Sequence, residues 1–189
     1  MRIIAGQFRG RRLAAVPGTG TRPTADRVRE ALFSRLQSRY DMTGAAVLDL
    51  FAGTGALGLE AISRGASNLV SVELNRRAAR VLLANLESCG AQGRSELIVR
   101  DVVGALVGLA SRGRRFEGVF VDPPYRSGLA QRAIAALAEA DLVKRGGWVS
   151  VESAVDENLP LREGTLTRVH EQVYGDTKLT LYEIQTAGD

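Results

Sequence analysis

The sequence predicts an α/β protein whose mostly parallel β-sheet ends in an antiparallel hairpin and is preceded by a short basic extension. From residue 45 onward, short runs rich in Val, Ile and Leu alternate with stretches of helical periodicity. This alternation is typical of parallel strands joined by helical crossovers. After Pro160, two strand-like segments flank a Tyr-Gly-Asp-Thr turn, which is typical of a hairpin. The 189 residues suffice for one such fold.

Each element has a predicted place along the chain. The body contains strands at residues 46–51, 69–73, 96–100, 118–122 and 148–152, with helices at 56–64, 76–88, 103–111 and 128–140. The hairpin strands cover residues 165–173 and 178–184. In front of the body, residues 2–16 form an extended hairpin that turns near Arg9 and Gly10. A Pro/Gly/Thr-rich connector then leads to a helix that ends near Arg39. We therefore divide the chain into an extension, residues 1–40, and a body, residues 41–189.

Composition narrows the class of protein. No segment has the roughly 20 apolar residues of a membrane span, and the first residues lack the apolar stretch of a secretory signal. Cys89 is the only cysteine, so we expect no internal disulfide and a cytoplasmic protein. Because His170 is the only histidine, we expect neither a metal cluster nor a histidine-based triad.

Positive charge is concentrated in the extension. Residues 1–40 contain nine arginines and two acidic residues, whereas the remainder has a net charge of −3. Clustered arginines favour a polyanionic partner because they replace counterions along a phosphate backbone. The chain prefers arginine to lysine throughout, but that bias does not explain the clustering. The candidate contacts to such a partner are Arg2, Arg9, Arg11, Arg12, Arg22 and Arg27.

A glycine-rich loop follows the first strand of the body. Gly53, Gly55 and Gly58 match G-x-G-x-x-G, and Glu73 lies at the end of the next strand, where a carboxylate can accept both ribose hydroxyls of an adenosine. The strand–loop–helix context makes a chance match less probable. The candidate cofactor-binding residues are Asp49, Phe51, Ala52, Gly53, Thr54, Gly55, Glu73, Leu74, Asp101 and Val102.

NAD and S-adenosylmethionine both carry such an adenosine. Asp49 favours S-adenosylmethionine, because a carboxylate beside the loop repels a pyrophosphate but stabilises an ammonium or sulfonium group. At the end of the third strand, Asp101 could accept a hydrogen bond from the adenine amine, and the Val102 N–H could donate to a ring nitrogen. Alternatively, Asp101 only caps the following helix.

The fourth strand ends in Asp122, Pro123, Pro124 and Tyr125, the candidate catalytic residues. The prolines end the hydrogen bonding of the strand, which frees the Pro123 carbonyl. This carbonyl and the Asp122 carboxylate can both accept from one amino group of a nucleic-acid base, which directs its lone pair at a methyl group. Tyr125 offers a ring on which the base can stack. Alone, the tetrapeptide could be a stiff turn, but its predicted place is next to the glycine loop at the ligand-binding edge of the sheet.

These motifs occur in the order of the class I methyltransferases. The segments Arg2-Ile-Ile-Ala-Gly-Gln-Phe-Arg-Gly-Arg-Arg-Leu13 and Arg22-Pro-Thr-Ala-Asp-Arg-Val-Arg-Glu-Ala-Leu-Phe33 make the chain resemble the RsmD family. That family comprises bacterial enzymes that methylate N2 of a guanine in 16S ribosomal RNA. The resemblance implies a Rossmann-like, seven-stranded methyltransferase sheet and S-adenosylmethionine as cofactor. It also implies ribosomal RNA as partner, within a small subunit or its assembly intermediate, and we expect a monomer without metal.

Three other functions are compatible with some of these features. A DNA methyltransferase acting on adenine N6 would use the same tetrapeptide, but only 67 residues follow Asp122, which leaves no room for a domain that reads several base pairs. An NAD-linked oxidoreductase would use the same glycine loop. A nucleic-acid-binding module could retain the loop without activity.

Arg29 falls among the apolar positions of the helix in the extension. Its guanidinium is either paired with a carboxylate of the body or extends from the edge of the apolar stripe into water. The periodicity favours neither, and we predict a buried or half-buried guanidinium paired with a carboxylate of the body.

Overall fold

One mixed sheet with helices on both faces forms the body, and the computed structural model describes residues 1–16 and 23–184. The strands are β1 (Ala46–Leu50), β2 (Asn68–Val72), β3 (Ser95–Ile98), β4 (Phe116–Val121), β5 (Val143–Ala154), β6 (Arg162–Glu163), β7 (Leu166–Tyr174) and β8 (Thr177–Ile184). The helices are α1 (Pro23–Gln37), α2 (Ala56–Ser63), α3 (Arg76–Cys89), α4 (Val102–Ser111) and α5 (Leu129–Ala140), with a 3₁₀ turn at Gln92–Arg94.

The strand order is β3-β2-β1-β4-β5-β8-β7-β6. Strands β1 to β5 are parallel, and β8 then pairs antiparallel with β5 and with β7. The order reverses between β1 and β4, and in open α/β sheets the crevice at the carboxyl ends of two such strands binds ligands. The glycine loop follows β1 and the Asp122–Tyr125 segment follows β4, so both begin at this crevice.

The parallel sheet with a terminal hairpin was predicted, but the count of seven strands was wrong. Arg162 and Glu163 form an eighth strand at the edge, where they pair with Thr167 and Leu166. Two residues are too few to produce a periodic pattern in the sequence. Within the described ranges, no helix is both long and apolar enough to cross a membrane.

Alternating residues of the strands supply two apolar cores. On one face, Val47, Phe120 and Trp148 pack with side chains of α1, α2 and α3. On the other, Leu48 and Val119 pack with side chains of α4 and α5. The first core contains a row of rings: centroid distances are 5.5 Å for Phe33–Phe120, 5.0 Å for Phe120–Trp148 and 6.0 Å for Tyr40–Trp148. The α1 helix is therefore part of the main core.

The predicted β-hairpin of residues 2–16 is present in a short form, with turns before Arg11. One isolated antiparallel bridge joins Arg2 to Arg12, and the described residues between them form no strand. Backbone hydrogen bonds flank this bridge: the Ile3 N–H donates to the Arg11 carbonyl at 2.9 Å, and the Leu13 N–H donates to the Met1 carbonyl at 3.1 Å. Beyond it, the backbone N–H groups of Ile4 and Ala5 donate to the Glu60 carboxylate of α2, at 2.8 and 3.0 Å. We call residues 1–16 the arm.

Arg29 is paired with the body, as one of the two interpretations predicted. Its side chain is 5% exposed, and Nε lies 3.9 Å from Oε2 of Glu60, which is fully buried in α2. One guanidinium nitrogen also donates to the Arg2 carbonyl at 2.6 Å and to Asp26 at 3.1 Å. Arg64 Nε donates to Oε1 of the same glutamate at 2.7 Å. Glu60 therefore connects the arm, α1 and α2.

Candidate active site

A cavity of about 1300 Å³ opens at the carboxyl ends of β1, β2, β4 and β5. Among the predicted site residues, its lining includes Phe51, Glu73, Leu74, Asp101, Val102, Asp122, Pro123, Pro124 and Tyr125. These nine predicted cofactor and catalytic residues thus surround one space. The cavity is also large enough for a nucleoside-sized ligand and a base together.

The glycine loop supports this cavity from behind. Gly53 and Gly55 have φ angles of 56° and 82°, which glycine adopts without strain. Gly58 has a different role, because a Cβ there would lie 2.7 Å from the side chain of Leu69. It allows α2 to pack closely on β2, as expected of the third glycine in this motif. Ala52, Gly53, Thr54 and Gly55 are not part of the cavity lining.

Glu73 holds the loop in position. Its Oε2 accepts from the Gly53 N–H at 2.8 Å, and its Oε1 accepts from the Asn75 N–H at 2.6 Å. A carboxylate offers about four acceptor positions, so two remain for ribose hydroxyls. Phe51, just before the loop, has a φ of 63° and is thus in the left-handed region. Such backbone strain is concentrated at ligand-binding sites.

Asp49 lies one layer behind the cavity lining. Its side chain is 1% exposed, and Oδ2 accepts from the Gly58 N–H at 3.0 Å. Oδ1 is buried and has no hydrogen-bond partner among the described residues. Burial raises the pKa of Asp49 to about 7, the Gly58 hydrogen bond opposes this, and the charge of Glu73 adds to it. Asp49 therefore lacks a counterion that a cationic ligand could provide.

The residues that follow β3 contribute another part of the cavity wall. Asp101 caps α4, since its Oδ1 accepts from the Gly104 N–H at 2.9 Å. The capping interpretation is therefore confirmed, although Asp101 also lines the cavity beside Val102. Leu74, also in the lining, is 69% exposed. It offers an apolar surface that a flat adenine ring could cover.

The Asp122–Tyr125 segment closes the cavity at β4. Asp122 is half-buried, and its pKa is raised well above its ordinary value by burial and by the charges of Glu152 and Asp49. In the described chain, the Pro123 carbonyl accepts no hydrogen bond. The Tyr125 hydroxyl donates to Glu152 Oε1 at 2.5 Å and lies 2.8 Å from Thr177 Oγ1. These contacts fix the ring beside the two free acceptors.

The sequence analysis missed several residues of the lining, including Asn75, Arg126, Arg132, Glu152 and Asp176. Glu152 ends the predicted fifth strand, so the rule that ligands bind at the carboxyl ends of strands could have identified it. No sequence signal places Asp176, which reaches the cavity only because β8 pairs with β5. The described residues contain no group of three His, Cys, Asp or Glu side chains placed to hold a metal ion.

The predicted RNA contacts lie apart from this cavity. Arg2, Arg9 and Arg27 are exposed and line a second cleft, of about 400 Å³, between the arm and α1. Arg11 and Arg12 are also exposed, whereas Arg22 lies outside the described residues. Asn85 of α3 joins the arm to the glycine loop, because its amide donates to the carbonyls of Ala14, at 3.1 Å, and Thr54, at 2.9 Å.

The fold and this site define the chain as a class I methyltransferase. Comparison with known proteins identifies the family within this class. A family model described as Conserved hypothetical protein 95 matches residues 1–183. The chain belongs to this family, the RsmD family.

Individual relatives match over nearly the whole chain. Ribosomal RNA small subunit methyltransferase D of Escherichia coli (strain K12) is 38% identical over 100% of this chain and 92% of its own length. The Haemophilus influenzae protein of the same name is 34% identical over 97% of this chain and 93% of its own. The solved structure of yhhF from Escherichia coli is 38% identical, covers 98% of both chains and has a TM-score of 0.82.

Proposed function

We propose that this protein transfers a methyl group from S-adenosylmethionine to N2 of a guanine in 16S ribosomal RNA. The observation that carries the proposal is the arrangement of the Asp122–Tyr125 segment and Glu73 around one cavity, with the unpaired Asp49 carboxylate behind it. Relatives that share the whole fold are named as small-subunit ribosomal RNA methyltransferases. The DNA alternative has no comparable support.

The residues of the cavity fit the cofactor. Glu73 would accept the ribose hydroxyls, while Asp101 and Val102 would contact the adenine ring against Leu74. Asp49 lies behind the glycine loop of Ala52 to Gly55, with Oδ1 unpaired. From there its carboxylate would stabilise the positive charge of the cofactor on the other side of the loop. A pyrophosphate would instead face the carboxylates of Asp49 and Glu73, which disfavours NAD. When bound, S-adenosylmethionine supplies a methyl group activated on a sulfonium.

The chain supplies acceptors for the target amine. Asp122 and the Pro123 carbonyl accept its two N–H groups, and this directs the nitrogen lone pair toward the methyl carbon. Preorganised acceptors of this kind act strongly because they need no reorganisation during the reaction. After transfer, Asp122 can accept the proton that leaves the nitrogen. Tyr125, fixed by Glu152 and Thr177, presents its ring to a base that has left its stack.

The arm and α1 would bind the RNA outside the cavity. We assign residues 1–40 to RNA binding, through Arg2, Arg9, Arg11, Arg12, Arg22 and Arg27, and residues 41–189 to catalysis. Exposed Arg126 and Arg132 at the cavity rim would contact phosphates beside the target. Recognition by shape and backbone suits a folded RNA in a small ribosomal subunit or its assembly intermediate. We therefore place a monomeric enzyme in the cytoplasm, where ribosomes assemble.

The direct test uses small subunits from a strain that lacks its own enzyme of this family. Incubation with the protein and labelled S-adenosylmethionine should yield N2-methylguanosine at one position, identified by nuclease digestion and mass spectrometry. Naked 16S RNA and duplex DNA are tested in parallel. Label in N6-methyladenine of the DNA, with none in the RNA, would replace the proposal by the DNA alternative.

Substitution of Glu73 tests the cofactor assignment. Glu73→Ala should weaken S-adenosylhomocysteine binding by about 1–3 kcal/mol, or roughly 5- to 150-fold, because hydrogen bonds to a charged acceptor are lost. Isothermal titration calorimetry measures this effect, with Glu87→Ala, an exposed glutamate of α3, as the matched control. The assignment fails if NAD also binds and Glu73→Ala changes neither affinity.

Substitution of arginines in the arm tests RNA binding. Joint replacement of Arg9, Arg11 and Arg12 by alanine should weaken binding to small subunits and lower the log–log salt slope by roughly one unit per lost contact. Filter binding over a salt series measures both quantities. The control removes three arginines near the start of β4, namely Arg112, Arg114 and Arg115, which should leave the slope nearly unchanged. Equal slopes for the two triple variants would show that the arm does not contact phosphates.

A further inference from the structure

Glu152 is a second carboxylate beside Asp122, and the transfer step described above gives its second oxygen no role. The register of β4 with β5 pairs Val121 with Val151, so the next residues along, 122 and 152, lie side by side where β4 ends. Neighbouring strands are about 4.8 Å apart. Both carboxylates line the cavity, and each carboxyl pKa is raised by burial. Two adjacent acceptors that line one cavity can take hydrogen bonds from neighbouring donors of a single ligand.

The Glu152 carboxylate is held in a fixed orientation. Oε1 accepts from the Tyr125 hydroxyl at 2.5 Å, and that hydroxyl is held in turn by Thr177, which is buried in β8. In the part of the chain that the structure describes, Oε2 accepts no hydrogen bond. One oxygen therefore positions Tyr125, while the other is available to a ligand in the cavity.

Guanine has the matching pattern of donors. Its N1–H and N2–H₂ groups are adjacent on the Watson–Crick edge, and enzymes read an extruded base by hydrogen bonds to this edge. Adenine and 2,6-diaminopurine have an acceptor at N1, whose lone pair would face the carboxylate. A site built to bind an N–H group rejects an analogue without it strongly, because its own polar group is left unpaired.

We propose that Glu152 determines base specificity by accepting the N1–H of guanine through Oε2, while Asp122 and the Pro123 carbonyl accept from N2. The inference rests on the proposed function and specifies how its substrate base is chosen. Glu152 makes no bond to the transferred methyl group and takes up no proton.

The test measures base preference and not activity alone. Small subunits are reconstituted with 16S RNA that carries, at the mapped target, either guanosine or 2,6-diaminopurine riboside introduced by splinted ligation. Both bases present the same N2 amine and differ at N1 and at position 6. The kcat/KM ratio of guanosine to 2,6-diaminopurine is compared between variants, so that effects independent of residue 152 cancel.

Glu152→Gln should lower this ratio by roughly 10-fold or more, because the amide can donate to the N1 acceptor of 2,6-diaminopurine. The amide oxygen can still accept from Tyr125. Glu152→Asp keeps the charge and should retain the preference for guanosine at a lower kcat. Thr177→Val removes the other partner of Tyr125 and should leave the ratio unchanged. S-adenosylhomocysteine binding by each variant verifies its fold.

An unchanged ratio in Glu152→Gln would overturn the inference and leave Glu152 as a residue that only positions Tyr125. An equal fall in Thr177→Val would also overturn it, since selectivity would then depend on the tyrosine. If the wild-type protein methylates no guanosine at all, the proposed function fails instead.

Discussion

Asp122→Ala is expected to lower kcat for methyl transfer by about 100-fold or more, because removal of one preorganised acceptor typically has an effect of this size. The fold should persist. The raised pKa of Asp122 means that its ionised form is disfavoured by burial and by Glu152, so alanine removes an unfavourable charge. Transfer of labelled methyl to small subunits measures the rate, and calorimetry with S-adenosylhomocysteine shows that the cofactor still binds.

Glu139→Ala is the control for this experiment. Glu139 is an exposed carboxylate of α5, and its loss should leave kcat and cofactor binding unchanged. Near-normal turnover by Asp122→Ala would contradict the acceptor role. Loss of cofactor binding together with activity would mean that Asp122 acts on the cofactor and not on the base.

Glu60→Ala should have the second large effect, on stability. Fully buried Glu60 accepts from the N–H groups of Ile4 and Ala5 and from Arg64, and it faces Arg29. Its removal leaves buried cations and amides without their acceptor, at a cost of about 3 kcal/mol. For a chain of this length, Tm should fall by roughly 6–12 °C. Differential scanning calorimetry measures it.

Two arginines of α1 make the comparison specific. Arg29→Ala should also lower Tm, because it removes a 5% exposed guanidinium that bonds to the Arg2 carbonyl. Arg27, two residues earlier, is exposed, so Arg27→Ala should change stability by no more than about 0.5 kcal/mol. If all three variants had the Tm of the wild-type protein, the Glu60 contacts would contribute little to stability.

Most of the body was predictable because its elements produce local patterns. The strands and helices lie within a few residues of their predicted positions, since apolar runs and helical periodicity depend on neighbouring residues. The glycine loop and the Asp122–Tyr125 segment could be placed together because parallel strands bring their carboxyl ends to one edge. That edge, with Glu73, Asp101 and Asp122 at it, was available from the sequence.

Contacts between distant segments were not predictable. Asp176 reaches the cavity through the pairing of β8 with β5, and no local pattern shows which distant strand β8 pairs with. The hydrogen bonds from the Ile4 and Ala5 N–H groups to Glu60, more than 50 residues away, also leave no local pattern in the sequence. Asp49 was expected to contact the cofactor directly, but it lies behind the lining, where it holds Gly58.

The position of Trp148 has a practical consequence. It is the only tryptophan of the chain, is 3% exposed, and packs against Tyr40, just after α1, and Phe120 of β4. The fluorescence of its indole therefore reports the contact between the end of the extension, at Tyr40, and the sheet. Separation of the extension from the sheet would admit water to the ring and shift its fluorescence emission to longer wavelengths. The protein thus has an intrinsic optical probe of this contact that needs no label.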